Sequence, residues 1–384
     1  MNNKIWLSSP HMGGTEMKYI DQAFEDNLIT PFGNNVNAFE NNLEDYLFKG
    51  RDERIHVAAL SSGTAAIHLG LILLGISKGD EVLIQSHTHI ASANPILYAG
   101  AIPIFIDSEL DTFNICPVIL EEAIKDRISK GKKPKAIIAV HLYGNPYKVD
   151  EVRDVANRYG IPILEDSAEA LGSSYKGRYC GVFGDISALS FNGNKIITTS
   201  GGGAIIVRTK ELKDRTIFLA TQARDNAPYY QHSVVGYNYR MSNISAGIGR
   251  GQIEVLEKHI AIRRDIHEFY RTVFSEIDAV NVFSVPDDNY FSNYWLTIIT
   301  IDFDKSMGRT PEELRVFLES NNIESRPFWK PMHLQPLYEE FPYYGEKISE
   351  KLFLSGLCLP SGSNMTEDDK KRIKISLYKF FNIR

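Results

Sequence analysis

The feature that most constrains this chain is a regular alternation of short apolar runs with helical patterns between about residues 55 and 210. Runs of this length, with helical spacing of apolar side chains between them, are typical of parallel strands joined by right-handed crossovers. The predicted strands are His56–Ser61, Glu81–His87, Ile102–Asp107, Ala136–Leu142, Ile161–Asp166, Asp185–Phe191 and Gly203–Arg208.

The pattern changes after about residue 240, where one long helical stretch from Ser242 to Phe274 leads into a region of mixed character. Further elements are predicted at Tyr294–Ile301 (strand), at Pro311–Asn321 (helix) and from Glu367 (helix). We therefore predict an α/β protein with two domains. Residues 1–250 form a large domain with a mostly parallel seven-stranded sheet, and residues 251–384 form a smaller α+β domain.

Composition excludes several classes of function. The 384 residues are 43% hydrophobic and carry a net charge of −6, with no lysine- or arginine-rich block, so nucleic acid is not an expected partner. Three dispersed cysteines give no disulfide framework or zinc pattern. Because no apolar run is long enough for a signal peptide or a membrane span, we expect a soluble, cytoplasmic protein that does not contact membranes.

Polar residues at the carboxyl ends of the predicted strands are candidates for a pyridoxal phosphate (PLP) site, because ligands of open α/β sheets gather at that edge. Such a site needs an amine for the aldehyde, an anion for the pyridine nitrogen, a phosphate cradle and a ring-stacking group. Lys195, in a polar loop before three glycines, is the candidate amine, and Asp166 is the candidate anion. Taken alone, Asp166 is better explained as a helix cap, and Lys195 as a solvated surface lysine.

The phosphate and ring candidates are individually weaker. Gly63 and Thr64 open a helix whose free amides attract an anion, and Ser190 and Asn238 add side-chain donors. His89 follows a strand end and is the stacking candidate, although a lone histidine is more often a core or capping residue. No metal-ligand spacing includes it, so no metal is expected.

In their order and spacing, these segments resemble the DegT/StrS family of PLP-dependent sugar-nucleotide aminotransferases over essentially the whole chain. The segments that carry the resemblance are Ser62-Gly63-Thr64-Ala65-Ala66, Thr88-His89-Ile90-Ala91-Ser92, Glu165-Asp166-Ser167-Ala168-Glu169, Ser190-Phe191 with Lys195, and Gly236-Tyr237-Asn238-Tyr239-Arg240-Met241. The resemblance implies the fold type I aminotransferase architecture and a homodimer with shared active sites.

The resemblance also implies roles for individual residues. Lys195 would hold PLP as a Schiff base, Asp166 would pair with the pyridine nitrogen and His89 would stack on the ring. Glu169 would lie by the phenolic oxygen, where many family members have Gln or His. The phosphate would be held by Gly63, Thr64 and Ser190, and by Asn238 reaching from the neighbouring subunit.

Longer matches resemble one subgroup of the family, the UDP-sugar 4-aminotransferases of bacillosamine synthesis. They lie at residues 192–203, 326–333 and 359–362. The resemblance implies that L-glutamate aminates C4 of UDP-2-acetamido-2,6-dideoxy-4-keto-glucose, in a ping-pong reaction in which Lys195 also moves the proton. A dTDP- or GDP-linked 4-keto-6-deoxy sugar is the alternative substrate. The substrate-binding candidates are Asn27, Leu28, Ile29, Thr30, Arg326, Trp329, Lys330 and His333.

Three other functions remain open from the sequence. Some family members dehydrate sugars, but these have histidine in place of the lysine that this chain keeps as Lys195. A dinucleotide-dependent dehydrogenase would share the strand and helix alternation, yet no G-x-G-x-x-G follows the first strand. A non-catalytic relative that retains the fold is the third alternative.

Overall fold

The computed structural model describes residues 3–48 and 54–383. Its strands are β1 (His56–Leu60), β2 (Glu81–Gln85), β3 (Ile102–Ile106), β4 (Ala136–Val140), β5 (Ile163–Asp166), β6 (Ser174–Tyr175), β7 (Arg178–Tyr179), β8 (Ile186–Ser190), β9 (Gly203–Val207), β10 (Val280–Val282), β11 (Tyr290–Phe291), β12 (Thr297–Ile301), β13 (Arg326–Pro327), β14 (Tyr343–Tyr344) and β15 (Gly356–Leu359).

The helices are α1 (Glu16–Glu25), α2 (Asn34–Phe48), α3 (Gly63–Leu73), α4 (Ile90–Tyr98), α5 (Pro117–Ser129), α6 (Val149–Tyr159), α7 (Lys210–Ala220), α8 (Asn243–Ile253), α9 (Leu256–Phe274), α10 (Pro311–Ser320), α11 (Ile348–Ser355) and α12 (Glu367–Phe381). The predicted single helix from Ser242 to Phe274 is therefore two helices, because the backbone leaves helical geometry at Val255 (φ −110°, ψ 5°).

The main sheet has the order β1-β9-β8-β5-β4-β2-β3-β14. All seven predicted strands are confirmed as members, and the sheet is mostly parallel, as expected. Two features differ from the prediction. Strand β9 runs antiparallel to both β1 and β8, and an eighth strand, β14, is added at the edge by a distant part of the chain.

The central strands of this sheet are mostly apolar and buried because both of their faces are covered, and polar residues such as Asp166 come at their ends. One face packs on α3, where Gly70 leaves room for Leu164 of β5; a Cβ at Gly70 would lie 2.7 Å from Leu164 Cδ1. The other face packs against α5 and α6 through Leu120, Ile124 and neighbouring apolar side chains. The sheet is thus held between two helical layers, with its strand ends open at the edge.

The C-terminal part of the chain forms a second sheet with the antiparallel order β10-β12-β15-β13. The side chains of α9, α10 and α12 cover it and form a separate core. The chain passes between the main sheet and the C-terminal sheet at more places than residue 250. Ile5 pairs with Ile323 and packs in the C-terminal core, whereas Tyr343 and Tyr344 pair with β3 of the main sheet.

Among the described residues, no helix has the length and apolar character needed to cross a membrane.

Candidate active site

A cavity of about 1060 Å³ lies at the edge of the main sheet where β1, β2, β5 and β8 have their carboxyl ends. Because β9 is antiparallel, it begins at this same edge, so Gly201 and Gly202 also line the cavity. Residues from the C-terminal part, among them Trp295 and Trp329, form the opposite wall. The cavity therefore lies where the two parts of the chain meet.

Lys195 lies in the loop after β8, and its amine points into the cavity. Lys195 Nζ donates to Glu169 Oε1 at 3.0 Å and lies 4.3 Å from the centre of the Trp295 ring. The same indole donates from Nε1 to the carbonyl oxygen of Asn194 at 2.7 Å. Trp295 thus holds both the side chain of Lys195 and the backbone just before it.

Glu169 is buried at the base of the cavity. Burial raises the pKa of Glu169, and the nearby charge of Lys195 opposes that rise without cancelling it. The Tyr143 backbone N–H donates to Glu169 Oε2 at 2.8 Å, which fixes the orientation of the carboxyl group. Glu169 is therefore a group able to hold a proton near the Lys195 amine.

Asp166 is the last residue of β5 and is 3% exposed. Its Oδ2 accepts a hydrogen bond of 2.6 Å from the Ser92 hydroxyl, and its Oδ1 accepts one of 3.1 Å from the Ala168 backbone N–H. Both carboxylate oxygens are held, and the side chain lines the cavity. This is the geometry expected of a fixed buried anion.

The preceding residue, Glu165, points away from the cavity into the core, and sequence reasoning gave it no role. Its carboxylate accepts six hydrogen bonds, from His141, Ser167, Gly181, Phe183, Gly184 and Ser187. Although burial opposes ionisation, the His141 bond and the other donors lower the pKa of Glu165 to about 2. His141 and Cys180 lie close enough to share a metal ion with it, but these hydrogen bonds already occupy both oxygens.

The N-terminus of α3 forms another wall of the cavity. Ser62 caps this helix by accepting from the Ala65 backbone N–H, and Gly63 and Thr64 present the first turn to the cavity. A Cβ at Gly63 would lie 3.0 Å from Ser190 Cβ, so glycine lets the helix start approach β8. The free amides and the Ser190 hydroxyl form a cradle of donors that suits a phosphate.

His89 caps α4 with its ring, because Nδ1 accepts a hydrogen bond of 3.2 Å from the Ala91 backbone N–H. Desolvation by the cavity walls, and next the charge of Lys195, lower the pKa of His89 and favour the neutral imidazole that this bond requires. The ring lies 5.3 Å from the Trp329 ring, edge to face. His89 therefore offers a neutral aromatic surface to the cavity.

Three of the predicted substrate residues, Arg326, Trp329 and Lys330, line the cavity. The Arg326 side chain is 67% exposed, and its Nε and Nη2 donate to Glu324 Oε1 at 3.0 and 2.8 Å. This ion pair leaves the rest of the guanidinium available at the cavity wall.

The structure does not bring the other predicted residues to this cavity. His333 is turned inward, bonded to the Ser86 hydroxyl at 2.6 Å and stacked on Tyr343, because it joins the C-terminal segment to the end of β2. The turn of Asn27, Leu28, Ile29 and Thr30 follows α1 and is held by Asn243 at the start of α8. Asn238 lies on the surface, opposite Thr221.

Two parts of the cavity wall were given no role from the sequence, although one of them, Ser92, lies in a segment that carries the family resemblance. The N-terminal segment from Trp6 to Pro10 lines the cavity, although it is far from β8 in the sequence. Ser92, which holds Asp166, reads in the sequence as an ordinary helical residue. A contact between Ser92 and Asp166 could have been suggested by the fact that loops after the carboxyl ends of parallel strands lie side by side.

The residues of the cavity fit PLP. They supply one amine, one fixed carboxylate, a donor cradle at a helix start and a neutral imidazole face. These are the four groups that this cofactor requires. Lys195, Asp166, Gly63, Thr64, Ser190, Glu169 and His89 are the residues that would hold it.

Comparison with known proteins agrees with this geometry. Residues 10–377 match the model of the DegT/DnrJ/EryC1/StrS aminotransferase family. The chain is 46% identical to the protein named "Putative pyridoxal phosphate-dependent aminotransferase EpsN" of Bacillus subtilis, over 100% of this chain and 97% of that protein. It is 37% identical to GDP-perosamine synthase of Escherichia coli O157:H7, over 98% of this chain and 99% of that enzyme.

The fold agrees as well. The crystal structure of a DegT/DnrJ/EryC1/StrS aminotransferase from Brucella abortus superposes with a TM-score of 0.87 at 28% identity, over 96% of this chain and 95% of that one. The dehydrogenase alternative is thereby set aside. The chain belongs to the DegT/DnrJ/EryC1/StrS aminotransferase family and is a PLP-dependent aminotransferase of fold type I.

Proposed function

We propose that this enzyme transfers an amino group from L-glutamate to C4 of a keto sugar nucleotide. The observation that carries the proposal is the placement of Lys195, Asp166 and the α3 N-terminus around one cavity whose far wall holds Arg326, Trp329 and Lys330. The first set suits the cofactor and the second suits a charged, ring-containing substrate.

PLP supplies an aldehyde that forms imines with amines and a ring that accepts electrons from the substrate carbon. Lys195 would hold the cofactor and, as a free amine, would move a proton from Cα of glutamate to the former aldehyde carbon in the first half of the reaction. In the second half it would move a proton in the opposite sense, from that carbon to C4 of the sugar. Asp166 would face the pyridine nitrogen, and Glu169 would lie by the phenolic oxygen. The Lys195 side chain is 12% exposed and lies against the Trp295 ring, which limits the access of water to its amine.

The sugar nucleotide that we propose is UDP-2-acetamido-2,6-dideoxy-4-keto-glucose. Arg326 and Lys330 would bind the diphosphate, and Trp329 would pack against a ring of the substrate. The contacts of Trp329 with His89 and Tyr143 hold its indole in place at the cavity wall. A GDP-linked 4-keto-6-deoxy sugar is the second candidate, favoured by the similarity to GDP-perosamine synthases, and a dTDP-linked sugar is the third.

We further propose a homodimer in which each subunit completes the other's site. Asn238 and the Asn27–Thr30 turn lie outside the cavity of their own chain, and Asn27, Ile29 and Asn238 are exposed. In the dimer, Asn238 would reach the phosphate of the neighbouring cofactor. The turn would line the mouth of that same site.

The proposal for Lys195 is tested by Lys195→Ala. With PLP added, the wild-type protein should show a visible absorption band that borohydride reduces to a stable covalent adduct. The variant should lose the band, the adduct and turnover, while its circular dichroism spectrum stays unchanged, because Lys195 lies in a loop rather than in the core. A borohydride-stable adduct that persists in the variant would transfer the role to another amine.

The substrate is tested with a panel of UDP-, GDP- and dTDP-linked 4-keto sugars, each incubated with L-glutamate and read by mass spectrometry. Amination of the UDP sugar in preference to the others supports the first candidate. Amination of the GDP sugar alone would replace it with the second. With no amination of any of the three, the sugar-nucleotide assignment would be wrong.

A further inference from the structure

Two hydroxyl groups behind Asp166 form a short chain that the proposed reaction does not yet use. Thr88 Oγ1 lies 2.9 Å from Ser92 Oγ, and Ser92 Oγ lies 2.6 Å from Asp166 Oδ2. Thr88, Ser92 and Asp166 are 0%, 2% and 3% exposed, so water does not compete for these bonds. Ser92 is in the first turn of α4, whereas Asp166 ends β5.

The direction of this chain follows from the chemistry of its end. A carboxylate only accepts, so the Ser92 hydroxyl donates to Asp166 and its oxygen is left to accept from Thr88. Both hydroxyl dipoles then point their positive ends toward the carboxylate. Successive bonds of this kind strengthen each other in a low-dielectric interior.

This orientation matters because a carboxylate and a pyridine nitrogen share one proton. In a buried site, the neutral pair, with the proton on oxygen, is favoured by desolvation over the ion pair, with the proton on nitrogen. Donors to the carboxylate stabilise the ion pair more than the neutral pair, because hydrogen bonds to a charged acceptor are the stronger ones. The Ser92 hydroxyl and the Ala168 N–H are the donors that hold the Asp166 carboxylate here.

We propose that Ser92, reinforced by Thr88, is a positioning residue that keeps the shared proton on the pyridine nitrogen of PLP. The inference rests on the proposed role of Asp166. Through Asp166, Ser92 acts on the electron-accepting strength of the cofactor. Thr88 acts one bond further away and has the smaller effect.

The test measures whether the ring nitrogen of bound PLP is protonated. The PLP carries the heavy nitrogen isotope in its ring, and the nuclear magnetic resonance shift of that nitrogen reports its protonation state. Four variants are compared in the full-length protein: Ser92→Ala, Ser92→Thr, Thr88→Val and Asp166→Asn. Ser108→Ala is the matched control, because Ser108 is 2% exposed, its hydroxyl has no hydrogen-bond partner among the described residues, and it does not line the cavity.

Ser92→Ala should move the nitrogen shift toward that of the unprotonated ring and raise the Kd for PLP about tenfold, the worth of one hydrogen bond to a charged group. Thr88→Val should move the shift less in the same direction, and Ser92→Thr should restore it. The control should match the wild type, so a general loss of packing would not reproduce this pattern.

The outcomes distinguish a failure of the proposed role of Asp166 from a failure of the inference about Ser92. If Asp166→Asn leaves the nitrogen shift unchanged, the role of Asp166 itself is wrong. If Asp166→Asn moves the shift but Ser92→Ala leaves it at the wild-type value, Asp166 keeps its role and the inference about Ser92 is overturned. A shift of equal size in Ser108→Ala would also overturn it.

Discussion

Single side chains with unusual surroundings set how this protein responds to pH. His267 is 4% exposed, both of its ring nitrogens lack hydrogen-bond partners among the described residues, and its ring stacks on Tyr294 at 3.6 Å. Burial, with smaller effects from Arg271 and Arg264, lowers the pKa of His267 to about 3. The folded protein therefore keeps this ring neutral at pH values where an unfolded chain would protonate it.

We expect His267→Phe to make the protein more resistant to mild acid. Below the ordinary histidine pKa of 6.5 the unfolded chain binds one proton more at this position, so the free energy of unfolding falls as the pH falls toward 3. At about pH 5 this costs the wild type about 2 kcal/mol, which the variant should not lose. Denaturant unfolding at several pH values measures the slope.

Val273→Ala provides the control, since it changes the packing of the same helix without removing a titratable group and should leave the wild-type slope in place. An equal slope in His267→Phe and the wild type would show that His267 is protonated in the folded state.

Arg326 allows a test of substrate binding at the level of one residue. Arg326→Ala should raise the KM for the sugar nucleotide about tenfold or more, because a charge-assisted contact to the diphosphate is lost. The glutamate half-reaction, followed by the absorbance of the cofactor, should be almost unchanged. Glu324→Gln is the companion variant. It weakens the ion pair that holds Arg326 in the free protein and should keep the KM at or below the wild-type value.

Equal damage to both half-reactions in Arg326→Ala would instead make Arg326 a structural residue of β13.

At the level of elements, the site depends on how closely α3 approaches the start of β9. A Cβ at Gly203 would lie 2.3 Å from the Ser62 carbonyl carbon and 2.4 Å from the Gly63 nitrogen. These are backbone atoms, which cannot turn aside as a flexible side chain can. The phosphate cradle therefore keeps its shape only if residue 203 has no side chain.

Gly203→Ala should lower the free energy of unfolding by about 1–3 kcal/mol, the usual cost of overpacking, and should also weaken PLP binding. Gly201→Ala is the matched control, because a Cβ there meets nothing within 4 Å. Thermal unfolding and PLP titration of the two variants give the comparison. Similar behaviour of both would mean that the helix start can shift without cost.

The elements also show which parts of the structure could be predicted from sequence. Buried strands such as Ala136–Val140 were found because apolar runs covered on both faces need no other context. Lys195 and Asp166 were expected to lie close together because polar residues at strand ends converge, and both line the cavity. The break at Val255, the antiparallel direction of β9 and the donation from Ser92 to Asp166 were missed, because each depends on contacts between distant segments.

At the level of the whole molecule, the proposed sharing of sites predicts complementation. Lys195→Ala and Asn238→Ala would each be impaired alone. A mixed dimer, however, contains one site with its own Lys195 and the partner's intact Asn238. Mixing the two variants under conditions that allow subunit exchange should therefore restore activity, measured as sugar amination. Failure of a verified mixed dimer to regain activity would place Asn238 outside the neighbouring site.

Strand β14 has a consequence for the order in which this protein is made and folded. Tyr343 and Tyr344 complete the edge of a sheet whose other strands lie between residues 56 and 207. During synthesis, the ribosome must add more than a hundred residues after β9 before β14 can cover that edge. Until then the outer backbone groups of β3 have no strand partner. We expect nascent chains that stop before residue 343 to depend on chaperones and to aggregate through this strand. Contacts between such distant residues also favour slow refolding of the complete chain.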